Sequence, residues 1–242
     1  MNRGMARAWI WRRAYWIRVA PGRMGAVLFV LLPAGYFLPL ESVSIFPDRL
    51  RGIAVLLWIQ GLALALMVRG GFSVRDESFI WHYQKGIPPD DLALEDWLLD
   101  LGLFAVAAAW SASMAVVALG VGGFPSYRLL PAFFLLGFTT AALTHAFTLS
   151  LSALGVERPS DLTILLAILS LLTPSLANRA PAWVLAAATY GLPPFRAVVE
   201  GHGALRIADL ENAAGSFLHV LLFSALALWI GLRRLSSWRP TA

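Results

Sequence analysis

From Leu101 to Val156 the chain carries a single charged residue, Arg128. A stretch this long and this apolar leaves few folds open. The run is broken at Gly122-Gly123-Phe124-Pro125, a turn signal, into two parts. Each part reaches the roughly 20 residues an α-helix needs to cross about 30 Å of hydrocarbon. In lipid every backbone N–H and C=O must be paired within the chain, so only helices or a closed barrel can span. A barrel would show short segments of alternating hydropathy. The long uniform runs predict an all-α integral membrane protein.

The rest of the 242 residues fit that class. The chain is 59% hydrophobic and 14% charged, against about 45–50% and about 25% in soluble domains. Six spans are predicted, near 24–40, 52–68, 101–121, 129–154, 162–177 and 217–232. Pro47 and Asp48 mark the turn between the first two. Pro174 lies inside the fifth, and Arg233, Arg234 and Arg239 close the sixth. Residues 178–214 are apolar but interrupted by Gly191, Pro193 and Pro194. Neither half is long enough to cross, so this segment reads as short broken helices, re-entrant or at the outer surface, with a seventh span over 182–199 as the other reading.

Residues 1–23 hold six Arg, three Trp and one Tyr, with apolar positions at helical spacing. They read as an amphipathic interfacial helix or as a positive anchor before the first span. No small-residue cleavage site follows a short apolar core, so removal as a signal peptide is not expected. Residues 24–242 read as one transmembrane domain. With six spans, thirteen of the nineteen Lys and Arg fall on one side. The positive-inside rule makes that side the cytoplasm, with both termini there, and places the protein in the plasma (inner) membrane. The net charge of +5 resides mostly in these flanking Arg and gives no reason to expect a nucleic-acid partner.

Several chemistries are excluded or unsupported. There is no cysteine, hence no thiolate nucleophile or Cys-based metal site. HExxH, GxSxG and the phosphate-binding GxxxxGK[ST] are all missing. His82, His145, His202 and His219 are scattered, with no i,i+4 pair, and no metal site is expected. An intramembrane enzyme would need His145 and His219 to converge. No covalent chemistry is expected of this chain. Asp and Glu avoid the interiors of the six predicted spans, which argues against an ion-coupled carrier.

Two groups of residues stand out. The first is the polar break Arg69–Asp100, with seven of the fourteen acids and the only lysine, Lys85. Pro88-Pro89-Asp90-Asp91 is a helix-start signal, with Pro at the first position and acids in the first turn. Ahead of it, Asp76 and Glu77 precede Phe79, Ile80, Trp81, His82 and Tyr83. Acids, then bulky residues, then a double proline predict a short helix with a hard stop. Its aromatic residues suit the groove of a soluble partner, or packing on lipid headgroups. The second group is Thr140, Thr144, His145 and Thr148, polar residues in the fourth span. They read either as helix–helix glue or as part of a translocation path. Ala105, Ala109 and Ser113 form a small-residue stripe on the third span, fit for close helix packing or a dimer seam.

This order of elements resembles the permease subunits of type 2 ABC exporters. The resemblance lies in Asp76-Glu77, then FIWHYQKGI, then Pro88, and in TYGLPPFRAVVEG after the fifth span. The Gly-Thr pair and the later Lys usual in that family are not present; Asp96 falls near the Lys position. The resemblance implies a six-helix permease that dimerises with itself or with another permease. It implies that Asp76, Glu77, Phe79, Ile80, Trp81, Tyr83 and Pro88 dock a cytoplasmic ATPase subunit. ATP and Mg would bind that partner, and this chain would need no cofactor of its own. An ion-coupled transporter or a membrane assembly scaffold is the alternative.

Overall fold

The computed structural model describes residues 27–38, 49–68, 86, 88–121, 127–172, 181, 183, 186, 192–206 and 209–237. Among these residues all regular structure is helical. Six helices are named here: α1 (Arg49–Val68), α2 (Pro89–Val121), α3 (Leu130–Ala153), α4 (Pro159–Leu172), α5 (Phe195–Arg206) and α6 (Leu210–Ser236). A helical segment over 27–37 precedes them, and a 3-10 turn, Tyr127–Leu129, leads into α3.

The sequence explains where these helices start and stop. α2 begins at Pro89, with Asp90 and Asp91 in its first turn, where the N-terminal dipole favours negative charge. Pro131 opens α3. α3 ends in a Schellman arrangement: Gly155 N–H donates to Ser152 O and Val156 N–H to Leu151 O, both at 3.0 Å. That geometry needs the left-handed backbone of Gly155 (φ +86°), which glycine adopts without penalty. α6 is capped by Asp209, whose carboxylate accepts the Asn212 N–H at 3.2 Å, and its last turn holds Arg233 and Arg234.

Among the described residues, four stretches are long and apolar enough to cross a membrane: Arg49–Leu66, Trp97–Val121, Tyr127–Ala153 and Glu211–Ser236. The chain is a helical membrane protein. Two of the six spans expected from sequence are shorter in their described parts. In its described part the first is helical over 27–37, as a π turn, an α turn and a 3-10 turn in succession. Pro33 lies at the start of that α turn and lacks the N–H that a continuous α-helix would use. The fifth is α4, which starts at Pro159 and spans 14 residues, ~21 Å at 1.5 Å per residue. The interfacial helix expected over 1–23 lies outside the described residues.

α3 is the central helix, packed against α1, α2, α4, α5 and α6. Among the described residues its core shows three tiers. At the end of the bundle where α2 finishes (the Val121 end), Ile53, Leu57, Leu119, Phe133, Leu136 and Phe195 pack together. In the middle, Leu64, Ala65, Phe104, Ala107 and Ala141 meet. At the opposite end (the Pro89 end), Ala146, Leu149 and Leu228 pack with Trp97 and Leu232. α1 approaches α3 closely at Gly61: a Cβ there would lie 2.8 Å from Gly137 O and 3.0 Å from Thr140 Cβ. Such close crossings suit small residues, because association in lipid depends on packing rather than on a hydrophobic drive. α6 presents Leu218, Leu221, Leu222, Leu226 and Trp229 outward, as a lipid-facing helix would.

Within the segment expected to form broken outer helices, the described part is α5. Its 12 residues, ~18 Å, are too short to cross. It follows Pro193-Pro194 and packs into the Val121 half of the bundle. The Phe195 ring meets Trp58 of α1 edge-on at 6.5 Å. The Arg196 N–H donates to Ser170 Oγ of α4 at 3.2 Å. His202 stacks on Phe133, and its Nδ1 lies 3.2 Å from the Ala132 carbonyl, which can only accept.

Candidate functional site

α2 runs without a break from Pro89 through the bundle, 33 residues or ~50 Å. The sequence places the third span from Leu101 onward and leaves Asp100 in the polar break. The helix instead carries Asp100 past its eleventh residue, inside the stretch Trp97–Val121 that is apolar enough to span. The argument that acids avoid the span interiors is therefore corrected at this residue. Asp100 is 0% exposed.

Its partner is His145, one of the residues singled out on α3. His145 Nε2 lies 2.9 Å from Asp100 Oδ2, and His145 is 3% exposed. The Phe104 ring, one turn beyond Asp100, meets the imidazole edge-on at 5.5 Å. His145 Nδ1 is buried and has no hydrogen-bond partner among the described residues. The arrangement is a buried acid–base pair that joins α2 to α3, with aromatic and aliphatic walls. Bare charge is costly in such a medium, and the pairing offsets much of that cost.

The threonines that flank His145 do something different. Thr140, Thr144 and Thr148 are all buried. Thr140 Oγ1 donates to Leu136 O at 2.6 Å, Thr144 Oγ1 to Thr140 O at 2.7 Å, and Thr148 Oγ1 to Thr144 O. Each hydroxyl is thus satisfied by its own helix four residues back. Thr163 of α4 donates to Pro159 O at 2.7 Å and lies 3.5 Å from Thr148 Oγ1. These side chains fill helix–helix contacts and have no proton left to offer a solute.

Between α1, α2 and α3 lies a crevice of about 10 Å³, room for one water, lined by Gln60, Gly61, Phe104, Ser111 and Gly137 among others. Next to it the Tyr36 hydroxyl donates to Gln60 Oε1, which ties the leading segment to α1. Trp110 Nε1 on α2 donates to Phe29 O at 3.0 Å and ties the same segment to α2. Ala109 and Ser113 of the small-residue stripe are exposed, and Ser113 Oγ donates to Ala109 O at 2.8 Å.

Of the expected docking residues, Pro88 is described; it is exposed and precedes α2 directly. Asp76, Glu77, Phe79, Ile80, Trp81 and Tyr83 lie outside the described residues. No group of three or more His, Cys, Asp or Glu able to hold a metal occurs among the described residues. Asp100 is the residue that sequence reasoning missed. The signal was present: Ala93, Trp97, Asp100, Phe104, Ala107 and Ser111 recur at helical spacing, so Asp100 shares the face that packs inward.

No protein-family model matches the chain, and no curated protein or solved structure matches it.

Proposed function

We propose that this chain is the membrane-spanning permease subunit of an ATP-driven transporter, of the type 2 ABC exporter kind. Substrate moves by alternating access, as a pair of such permeases, identical or not, is driven by separate cytoplasmic ATPase subunits. The observation that carries this reading is the unbroken helix α2. It starts directly after Pro88, at the end of the proposed docking segment, and reaches the centre of the bundle. A push on residues 76–88 would be delivered along a rigid ~50 Å rod to α3. The half-length helix α5, between α4 and α6, supports the same reading, since that family carries broken outer helices at this point in the order.

The membrane is then the plasma (inner) membrane, with both termini and the Pro89 end on the cytoplasmic side. The experiment is co-purification from detergent with a P-loop ATPase, followed by ATP hydrolysis in the presence and absence of this chain. Deletion of residues 77–87 is expected to abolish ATPase binding while leaving a folded membrane protein. ATPase binding that survives the deletion would refute the reading.

One observation favours a second reading. The buried Asp100–His145 pair puts an ionisable site at span depth, as an ion-coupled carrier requires. Substrate uptake that follows a proton gradient in ATP-free proteoliposomes would select it.

A further inference from the structure

The leading segment 27–38 is held differently from the six helices. It passes from a π turn through an α turn to a 3-10 turn around the buried Pro33. In a regular α-helix the N–H of residue 33 would donate four residues back, to the Phe29 carbonyl, and proline has no N–H to give. Trp110 supplies one in its place: its Nε1 donates to Phe29 O at 3.0 Å from α2. Trp110 stands near the middle of the membrane-length stretch Trp97–Val121, where no water competes for that carbonyl. Proline is tolerated in membrane helices where a neighbour satisfies the backbone group it frees.

We propose that the leading segment is a releasable strap across the cleft between α1 and α2, and that Trp110 is its latch. The strap lies along the crevice between α1, α2 and α3. Phe29 and Leu32 pack in the tier of Leu64 and Phe104, and the Tyr36 hydroxyl donates to Gln60. Gln60, Leu64 and Phe104 all line that crevice. On its other side the strap turns Val30, Leu31, Phe37 and Leu38 outward, as a lipid-facing surface does. Release of the strap would open the crevice toward the bilayer.

The two parts of the strap are fastened differently. After Pro33, Tyr36 is fully buried, its hydroxyl bonds Gln60, and Arg49 Nη2 donates to its carbonyl at 3.4 Å. Before Pro33, the hydrogen bond that ties the strap to the bundle, among the described residues, is the one from Trp110. Proline interrupts the ladder of backbone bonds between the parts, so the first can leave without unwinding the second. A carbonyl left bare in hydrocarbon is costly, which makes one indole N–H an effective fastening at this depth. Trp110 rides on α2, so the bond makes the position of the strap depend on that of α2. The proposal goes beyond the docking reading and holds with or without a partner ATPase.

The chain has no cysteine, so spin labels can be placed at chosen sites. Leu31→Cys on the strap and Leu222→Cys on α6 both replace exposed residues. The full chain with both labels, diluted in unlabelled chain, is placed in lipid nanodiscs, and pulsed electron resonance gives the label-to-label distances. With Trp110 in place, a single narrow distribution is expected. Trp110→Phe keeps an aromatic ring and removes the N–H, and a broadened distribution or a second distance is expected. With Pro33→Ala, residue 33 has an N–H again, and adding Trp110→Phe is expected to change the distribution little. A distribution in Trp110→Phe that matches the parent overturns the proposal. Equal broadening with and without Pro33→Ala overturns it as well. Should Trp110→Phe fail to fold, recovery of the fold by Pro33→Ala supports the proposal, and no recovery overturns it.

Discussion

The two ends of this bundle are built on different principles. At the Val121 end, aromatic and aliphatic side chains from four helices interlock: Ile53 and Leu57, Leu119, Phe133 and Leu136, and Phe195 of the short helix α5. Among the described polar groups there, His202 Nδ1 lies against the Ala132 carbonyl, while Trp58 Nε1 is buried with no hydrogen-bond partner among the described residues. At the Pro89 end the apolar tier is thinner, and a buried acid–base pair joins the two central helices. The first end is held mainly by shape. The second is held in part by a buried carboxylate set 2.9 Å from an imidazole.

That contrast can be broken experimentally, and the effects should fall in a definite order. The largest belongs to the pair. His145→Leu leaves the Asp100 carboxylate buried without its imidazole, and a loss of about 3–5 kcal/mol is expected for such a broken pair. Unfolding in detergent, followed by helical circular dichroism, measures it. Phe195→Ala at the other end removes a fully buried ring, with an expected loss of about 3 kcal/mol in the same assay. Gly61→Leu forces α1 away from the backbone of Gly137 and should cost about 1–3 kcal/mol as overpacking. Thr144→Val removes a hydroxyl that bonds only its own helix, and about 0.6 kcal/mol is expected, the scale of single hydrogen bonds within membranes. A larger effect for Thr144→Val than for His145→Leu would invert the account of the Pro89 half.

Much of the architecture was legible in the sequence, for identifiable reasons. Uncharged runs of span length have few structural solutions, so four membrane-length helices were readable from charge spacing alone. The start of α2 was readable because Pro89, Asp90 and Asp91 each favour a helix N-terminus for an independent reason. The end of the fourth span at Leu154 was readable from Gly155, although the Schellman bonds were not. Asp100 was missed because a charge marks the edge of an apolar run, and the eye ends the span there. Its partner lies 45 positions further along the chain, and pairing across that separation is set by how α2 and α3 pack, not by local pattern. The leading segment was read as a plain span, yet its described part changes helix type twice around Pro33, because proline removes a bond the α-helix would need. The threonines were readable as polar, but their hydroxyl geometry depends on rotamers that spacing does not fix.

The central claim is that Asp100 lies inside the bundle, paired with His145. A double-mutant cycle in one lipid composition tests it most directly, with Asp100→Leu, His145→Leu and the double variant compared by unfolding free energy. The account predicts that the double variant is no less stable than the weaker single one, so the two losses fall short of adding by about 2 kcal/mol or more, as for residues in direct contact. Losses that add to within about 0.5 kcal/mol, as for residues that do not touch, would contradict it.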